Sequence, residues 1–495
     1  MGRLRAERRR ENSAEPVAPR AEGRAWGFLQ WTEKPAVHAA LLFVLLLAAL
    51  VVRLPHAYDS DHYFQNHADE ATYFNKAQEM MQRDAAPLAH GGSGLPGFLK
   101  TIAELSGQDP VAAVGQGQAG LSPEQLTAAR LAYLTNTLVG VLIVAATYAL
   151  SRPLVRPAKA LLATSLVAFD PFLLQLSGHL MAEQLFTLFV VLAAAATVRA
   201  SRHPGWLVAM AIAMAFASMM RGNGLVVFAA LAGFAFFLLR RSDARRWGRW
   251  LAAGAAVYVL VQTPYLAWRS QHLPGAFDYG TNGRFFADRL WDFSDPYWQN
   301  YTQKNGGPKE GFGDYLATHS AGDVLRRLYL SVQMQVVDLF GGAQAGHRAH
   351  PEGTVLQPLM AIPLAIGLFA ERKRPELRAF LWVGALSVLA LVWMYWIHDS
   401  PRYFSMLVPL AAPVAVEGLA WLGKRLAMAG VLAVGFVATH VALNAALPAI
   451  DGLAALREMN PSWAWTFVFL VLALILALAG PMRDLWRENR RANSP

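Results

Sequence analysis

The chain has 495 residues, 55% hydrophobic and 16% charged, with no cysteine and a formal net charge of +10. So apolar a balance over this length excludes an ordinary soluble enzyme and points to a polytopic membrane protein. Without cysteine there are no disulfides, thiolate catalysts or cysteine-ligated metals. The positive charge does not imply nucleic acid, because it lies in short segments between alternate apolar runs, as the positive-inside rule requires.

Residues 1–35 are rich in Arg, Glu, Ala and Pro and lack an apolar period up to Lys34, which predicts a disordered basic cytoplasmic tail. The first apolar run is Ala36–Val52. The stretch Val51-Val52-Arg53-Leu54-Pro55 lacks a small-residue cleavage pattern, so this run reads as a retained anchor. Further runs are Leu131–Leu150, Ala158–Leu176, Ala182–Val198, Trp206–Met220, Gly224–Leu239, Leu251–Trp268, Val355–Ala370, Ala379–Ile397, Ser405–Leu422, Leu426–Leu447 and Trp463–Leu478. Crossing a bilayer takes roughly 20 apolar residues, fewer where it thins, so about twelve transmembrane helices are expected. The basic segments are Arg3–Lys34, Arg152–Lys159, Arg199 with Arg202, Arg240–Arg249, Arg372–Arg378, Lys424-Arg425 and Arg483–Arg491. They then share one face, with both termini cytoplasmic. The short runs flanking Arg221-Gly222-Asn223-Gly224 are kept as two spans, because losing one breaks that alternation.

Two outer segments are long enough to fold, Arg53–Arg130 and Arg269–Thr354. In the first, Tyr73, Ala77, Met80 and Met81 fall at helical spacing, predicting an amphipathic helix on the membrane surface. The glycine-rich His90–Gly97 reads as a flexible connection. Ser122-Pro123-Glu124-Gln125 reads as a capping box that opens a helix running into the second span. The second segment begins with Trp291, Tyr297, Trp298 and Tyr301, as expected of an interfacial aromatic belt, and ends in a predicted helix Asp314–Phe340. Asn300-Tyr301-Thr302 matches a glycosylation sequon. The resulting scheme is a tail 1–35, a catalytic transmembrane module 36–354 with outer loops 53–130 and 269–354, a C-terminal transmembrane module 355–480 and a cytoplasmic tail 481–495.

The chemistry is expected at the outer face. Asp69-Glu70 offers a carboxylate base to a substrate arriving through lipid, and the same pair also suits the first turn of an amphipathic helix. Glu183 opens a span, where a carboxylate is costly and tends to be functional, although helix N-termini also welcome one. His179 reads first as a satisfied structural histidine, and with Glu183 it makes only two potential metal ligands. Asp170, before Pro171, either faces a cavity or bonds backbone freed by the proline. Arg402, Arg284, Arg269 and Arg221 could bind a phosphate or simply snorkel to the interface.

Five motifs in this order give a more specific expectation: Asp69-Glu70-Ala71-Thr72-Tyr73; Arg130-Leu131; Ser177 to Phe186; Trp268-Arg269 followed by Tyr279-Gly280-Thr281-Asn282-Gly283; and Ser400-Pro401-Arg402-Tyr403. Together they resemble the GT-C membrane glycosyltransferases, in the glycosyltransferase family 39-like branch of protein O-mannosyltransferases and lipid A aminoarabinose transferases. The resemblance implies an all-α GT-C fold whose two long outer loops carry amphipathic helices. It implies inverting transfer from a polyprenyl-phosphate-linked sugar, with Asp69, Glu70 and Glu183 catalytic and Arg402, Arg284, Arg269 and Arg221 on the donor phosphate. Tyr73, His179, Asn282 and Tyr403 would contact substrate. The partners implied are the lipid donor, the bilayer and an acceptor left open, whether glycan, lipid or protein, with no nucleic acid. No cofactor is expected; the family has metal-dependent and metal-independent members, which leaves a divalent metal open, but no ligand cluster supports one. The Lys-Pro-Pro stretch of the aminoarabinose branch is replaced here by Gly94-Leu95-Pro96-Gly97-Phe98-Leu99-Lys100. The alternative class is a secondary transporter or flippase of a lipid-linked glycan. Such proteins usually have repeated halves and discontinuous spans near the midplane, whereas here the halves look unlike each other and the charged residues of interest concentrate at the outer face.

Overall fold

The computed structural model describes residues 34–65, 68–83, 94–115, 117–118, 120–272, 320–322, 325, 335, 339, 355–356, 358–392 and 400–425. Regular structure among them is entirely helical.

Helix α1, Pro35–Tyr58, starts with proline at its first position and runs beyond the expected span end at Val52. Arg53 therefore lies on the helix and is buried. Its Nε donates to Ser177 Oγ at 3.1 Å, and Nη1 donates to the carbonyls of Ala49 and Ala168 at 3.1 and 2.8 Å. Those acceptors make a guanidinium tolerable so deep in the bundle. In the first long loop lie α2, Ala68–Arg83, and α3, Gly94–Leu105, packed on each other. The apolar face of α2 holds Tyr73, Phe74 and Ala77, all buried in protein rather than spread on the membrane surface as expected. Gly94–Gly97 is helical, not a flexible connection. A Cβ on Gly94 would come within 2.6 Å of the Met219 carbonyl oxygen, so glycine serves close packing here.

Helix α4, Pro123–Ser151, opens with the expected capping box: Ser122 Oγ accepts from Gln125 N, and Gln125 Oε1 accepts from Ser122 N. The third expected span is a bent pair, α5 Pro157–Ala168 and α6 Pro171–Ser177, meeting at 56°. Asp170 caps α6 through Leu173 N at 3.0 Å, which settles it as a backbone cap at the break. Helices α7, Ala182–Ala200, and α8, Trp206–Met220, follow. Helical residues, together α9, run over Gly224–His272, where two spans and a basic loop are expected. Yet Phe228 stacks on Tyr258 with ring centroids 4.4 Å apart, whereas a straight helix would hold them about 45 Å apart. The helix must double back between these residues, and both limbs are retained.

Beyond the second loop come α10 Pro358–Ala370, α11 Ala379–Val392, the short α12 Ser400–Tyr403 and α13 Leu407–Arg425. Helices α10 and α13 meet at Gly367 and Gly418. A Cβ on either would overlap a facing carbonyl, that of Val414 or Pro363, so backbone packs directly on backbone. The expected spans Leu426–Leu447 and Trp463–Leu478 and the second-loop aromatics lie outside the described residues.

Four described helices are long and apolar enough to cross a membrane, or five with the bent pair as one span. The chain is a multi-pass helical membrane protein. One end of the bundle gathers three of the basic segments. Lys159 Nζ lies 2.7 Å from Glu417 Oε2 and Arg374 Nη1 lies 3.4 Å from Glu417 Oε1, while Arg374 also donates to the Leu154 carbonyl. Arg199 Nη2 donates to the Ala149 carbonyl at 2.6 Å. The opposite end holds the acidic pair of α2.

Candidate active site

Asp69 and Glu70 share the first turn of α2, and because successive helical residues are about 100° apart they face different partners. Glu70 faces inward and is fully buried. Its Oε1 accepts the Leu180 N–H at 3.1 Å and lies 3.1 Å from His179 Nδ1. The Glu70–His179 contact thus clamps the turn between α6 and α7. Asn136 holds the same turn from α4. Its Nδ2 donates to the carbonyls of Leu176, Ser177 and His179 at 3.3, 3.1 and 2.8 Å. Ser177 Oγ accepts from Gln184 Nε2 at 2.9 Å as well as from Arg53.

Asp69 is the accessible member, with its side chain 43% exposed, and its Oδ2 accepts from Arg402 Nη2 at 3.0 Å. Arg402 comes from α12 and its side chain is only 2% exposed. Its Nε also lies 3.0 Å from Glu183 Oε1, at an angle that makes this an ion pair without a hydrogen bond. Its Nη1 is 3.4 Å from Met181 Sδ. Ser405 and Thr187 bond through their hydroxyls at 2.7 Å, tying the turn after α12 to α7.

Glu183 is fully buried in the first turn of α7, where the helix dipole favours a carboxylate. Its Oε1 also pairs with Arg221 Nη2, and its Oε2 is buried without a hydrogen-bond partner. Arg221 ends α8, and its guanidinium lies over the Tyr403 ring at 4.3 Å from the centroid. The turn that aims Arg221 needs Gly224: a Cβ there would fall 2.6 Å from Ser218 Cα. Tyr73 is buried beside this group and within electrostatic reach of Arg221, Glu183, Asp69 and Arg402. Burial raises its phenol well above the ordinary range, so it remains a neutral hydroxyl. Two carboxylates and two guanidiniums thus form one continuous chain, Asp69–Arg402–Glu183–Arg221, with Lys76 in electrostatic reach of Asp69.

Residues 41–274, a little under half of the chain, match the family model of dolichyl-phosphate-mannose-protein mannosyltransferases. Over these residues the chain is similar to that glycosyltransferase family. The matched domain contains Asp69, Glu183 and Arg221, while Arg402 reaches the site from beyond it. No curated protein matches the chain. Among solved structures, the oligosaccharyltransferase AglB of Archaeoglobus fulgidus, in complex with an inhibitory peptide and a dolichol-phosphate, is similar at 17% identity and a TM-score of 0.47. That match covers 89% of this chain and 56% of the archaeal one. The chain therefore spans little more than half the length of that enzyme. ArnT of Cupriavidus metallidurans, bound to undecaprenyl phosphate, is similar at 17% identity and a TM-score of 0.42, over 93% of this chain and 73% of that one.

Of the residues expected in the site, the domain and α12 bring together Asp69, Tyr73, Glu183, Arg221, Arg402 and Tyr403. Glu70 and His179 lie behind them, bonded to each other. Arg269 is on α9 with its side chain undescribed, and Arg284 and Asn282 lie outside the described residues. Sequence reading passed over Lys76 and Asn136. Lys76 is two helical turns beyond Asp69 and interacts electrostatically with it; burial lowers its ammonium from the ordinary value, and Asp69 and Glu79 oppose that shift. The helical period from Asp69 could have found it. Asn136 carries no local signal, because its role depends on the packing of α4 against the α6–α7 turn. Among the described residues, no three His, Asp or Glu side chains are grouped to hold a metal ion.

Proposed function

We propose that the chain is an inverting glycosyltransferase that moves a sugar from a polyprenyl-phosphate donor to an acceptor at the outer face of the membrane. The observation that carries this reading is the Asp69–Arg402–Glu183–Arg221 chain: a single accessible carboxylate beside two arginines that a buried glutamate holds in place. The matched family takes its sugar from dolichyl-phosphate mannose, which supports a lipid-phosphate donor.

In the proposed reaction, the acceptor hydroxyl gives its proton to Asp69 as its oxygen attacks the anomeric carbon opposite the phosphate. The bond from that carbon to the phosphate oxygen breaks, and its electron pair leaves with the phosphate. Arg402 and Arg221 stabilise the added charge, and guanidinium groups match phosphate oxygens in pairs. Arg284 and Arg269 complete the proposed phosphate contacts, and Asn282 is a proposed substrate contact. Glu70 positions the turn between α6 and α7 and touches no reacting atom. The basic segments gathered at the far end support a cytoplasmic location for that end and an outward-facing site.

Purified protein in liposomes, supplied with dolichyl-phosphate mannose and an envelope extract, tests this reading. Acceptor-dependent release of dolichyl phosphate, with mannose of inverted configuration on the product, is the expected result. Intact donor moved across the bilayer without release would instead assign the chain to the flippase class.

A further inference from the structure

The ion chain has a consequence for the order of events, resting on the donor reading above. The geometry points to Arg402 as a latch: in the empty site it holds Asp69, and it exchanges that carboxylate for the phosphate of an incoming lipid donor, so that donor binding releases the base. Arg402 Nη2 donates to Asp69 Oδ2 at 3.0 Å while Nε faces Glu183 Oε1 at 3.0 Å. A carboxylate oxygen that accepts a guanidinium N–H is poorly placed to take a proton from an acceptor hydroxyl at the same time. Asp69 and Glu183 both pair with Arg402, so a phosphate brought to that guanidinium competes with a carboxylate already held there.

Burial decides which carboxylate moves. Glu183 is fully enclosed and pairs with both arginines, whereas the Asp69 side chain is 43% exposed and pairs at the outer edge of Arg402. Asp69 therefore turns away, and Glu183 keeps Arg402 and Arg221 fixed for the phosphate. Arg402 acts on the base as a positioning residue. The arrangement makes binding ordered: a site without donor has no released base.

The test is the affinity of the full-length protein, in detergent, for undecaprenyl monophosphate, measured in a double-mutant cycle. D69N removes the competing charge, and the latch predicts about five- to tenfold tighter binding, in the range of ordinary coupling between sites. In an R402Q background the same change should have no effect on affinity. If R402Q fails to fold, R402K replaces it, since an ammonium keeps a charge for Glu183 without a planar fork to span both carboxylates. Equal tightening in both backgrounds would mean simple repulsion between Asp69 and phosphate and would overturn the latch. No tightening in the native background would overturn it too. If the native chain binds no polyprenyl phosphate at all, the donor reading itself falls and the latch with it; binding without coupling refutes the latch alone.

Discussion

Asp69 and Glu70 are adjacent in the chain, yet their carboxylates answer to different partners, and the two should respond differently to substitution. D69N keeps the shape of a side chain that is partly exposed, and Arg402 keeps Glu183 as a counter-charge. Transfer should fall by about two to four decades, while thermal unfolding in detergent shifts by less than about 1 kcal/mol. E183Q should behave in the opposite proportion. It strips the buried counter-charge from Arg221 and Arg402 together, and breaking such a pair costs about 3–5 kcal/mol. A lowered unfolding midpoint, not merely lost turnover, is the readout. The acidic pair and Glu183 were legible in the sequence because carboxylates beside apolar runs stand out. The pairing of Glu183 with Arg402 was not, since it joins the start of α7 to a turn far along the chain, and no local period carries that information.

The elements place these side chains through polar ties that helical periodicity does not reveal. The break before α6 falls where Pro171 interrupts the ladder, inside a run that reads in the sequence as the single span Ala158–Leu176. What holds the following turn is Asn136, whose amide bonds three backbone carbonyls. N136A should leave those buried acceptors short of donors, at about 1–3 kcal/mol. It should also lower turnover more than donor binding, because the turn carries His179 and leads into Glu183; unfolding and steady-state kinetics on one preparation measure both. Gly94 is a similar case. Its composition suggested a loose connector, but its missing side chain lets α3 approach the Met219 carbonyl. Glycine reads as flexibility in sequence, and only packing distinguishes that from close approach.

At the scale of the whole molecule, the arrangement separates a basic end from an acidic and aromatic one. The sequence pattern of alternating charge anticipated this, and Lys159, Arg374 and Arg199 do gather at one end of the bundle. Orientation can be measured cleanly because the chain has no cysteine of its own. S106C, exposed after α3, should react with a membrane-impermeant thiol reagent in intact cells, and K373C, exposed at the basic end, only after permeabilisation. The reverse pattern would invert the proposed topology.

Asp69 is proposed as the base that takes the acceptor's proton while the sugar leaves a polyprenyl phosphate. The most direct measurement is mass spectrometry of the lipids that copurify with the native protein and with D69N. Polyprenyl-phosphate sugar is expected to stay on D69N, with only bare polyprenyl phosphate on the native chain, the sugar's mass then identifying the donor. The same lipids on both proteins, or none on either, would contradict it.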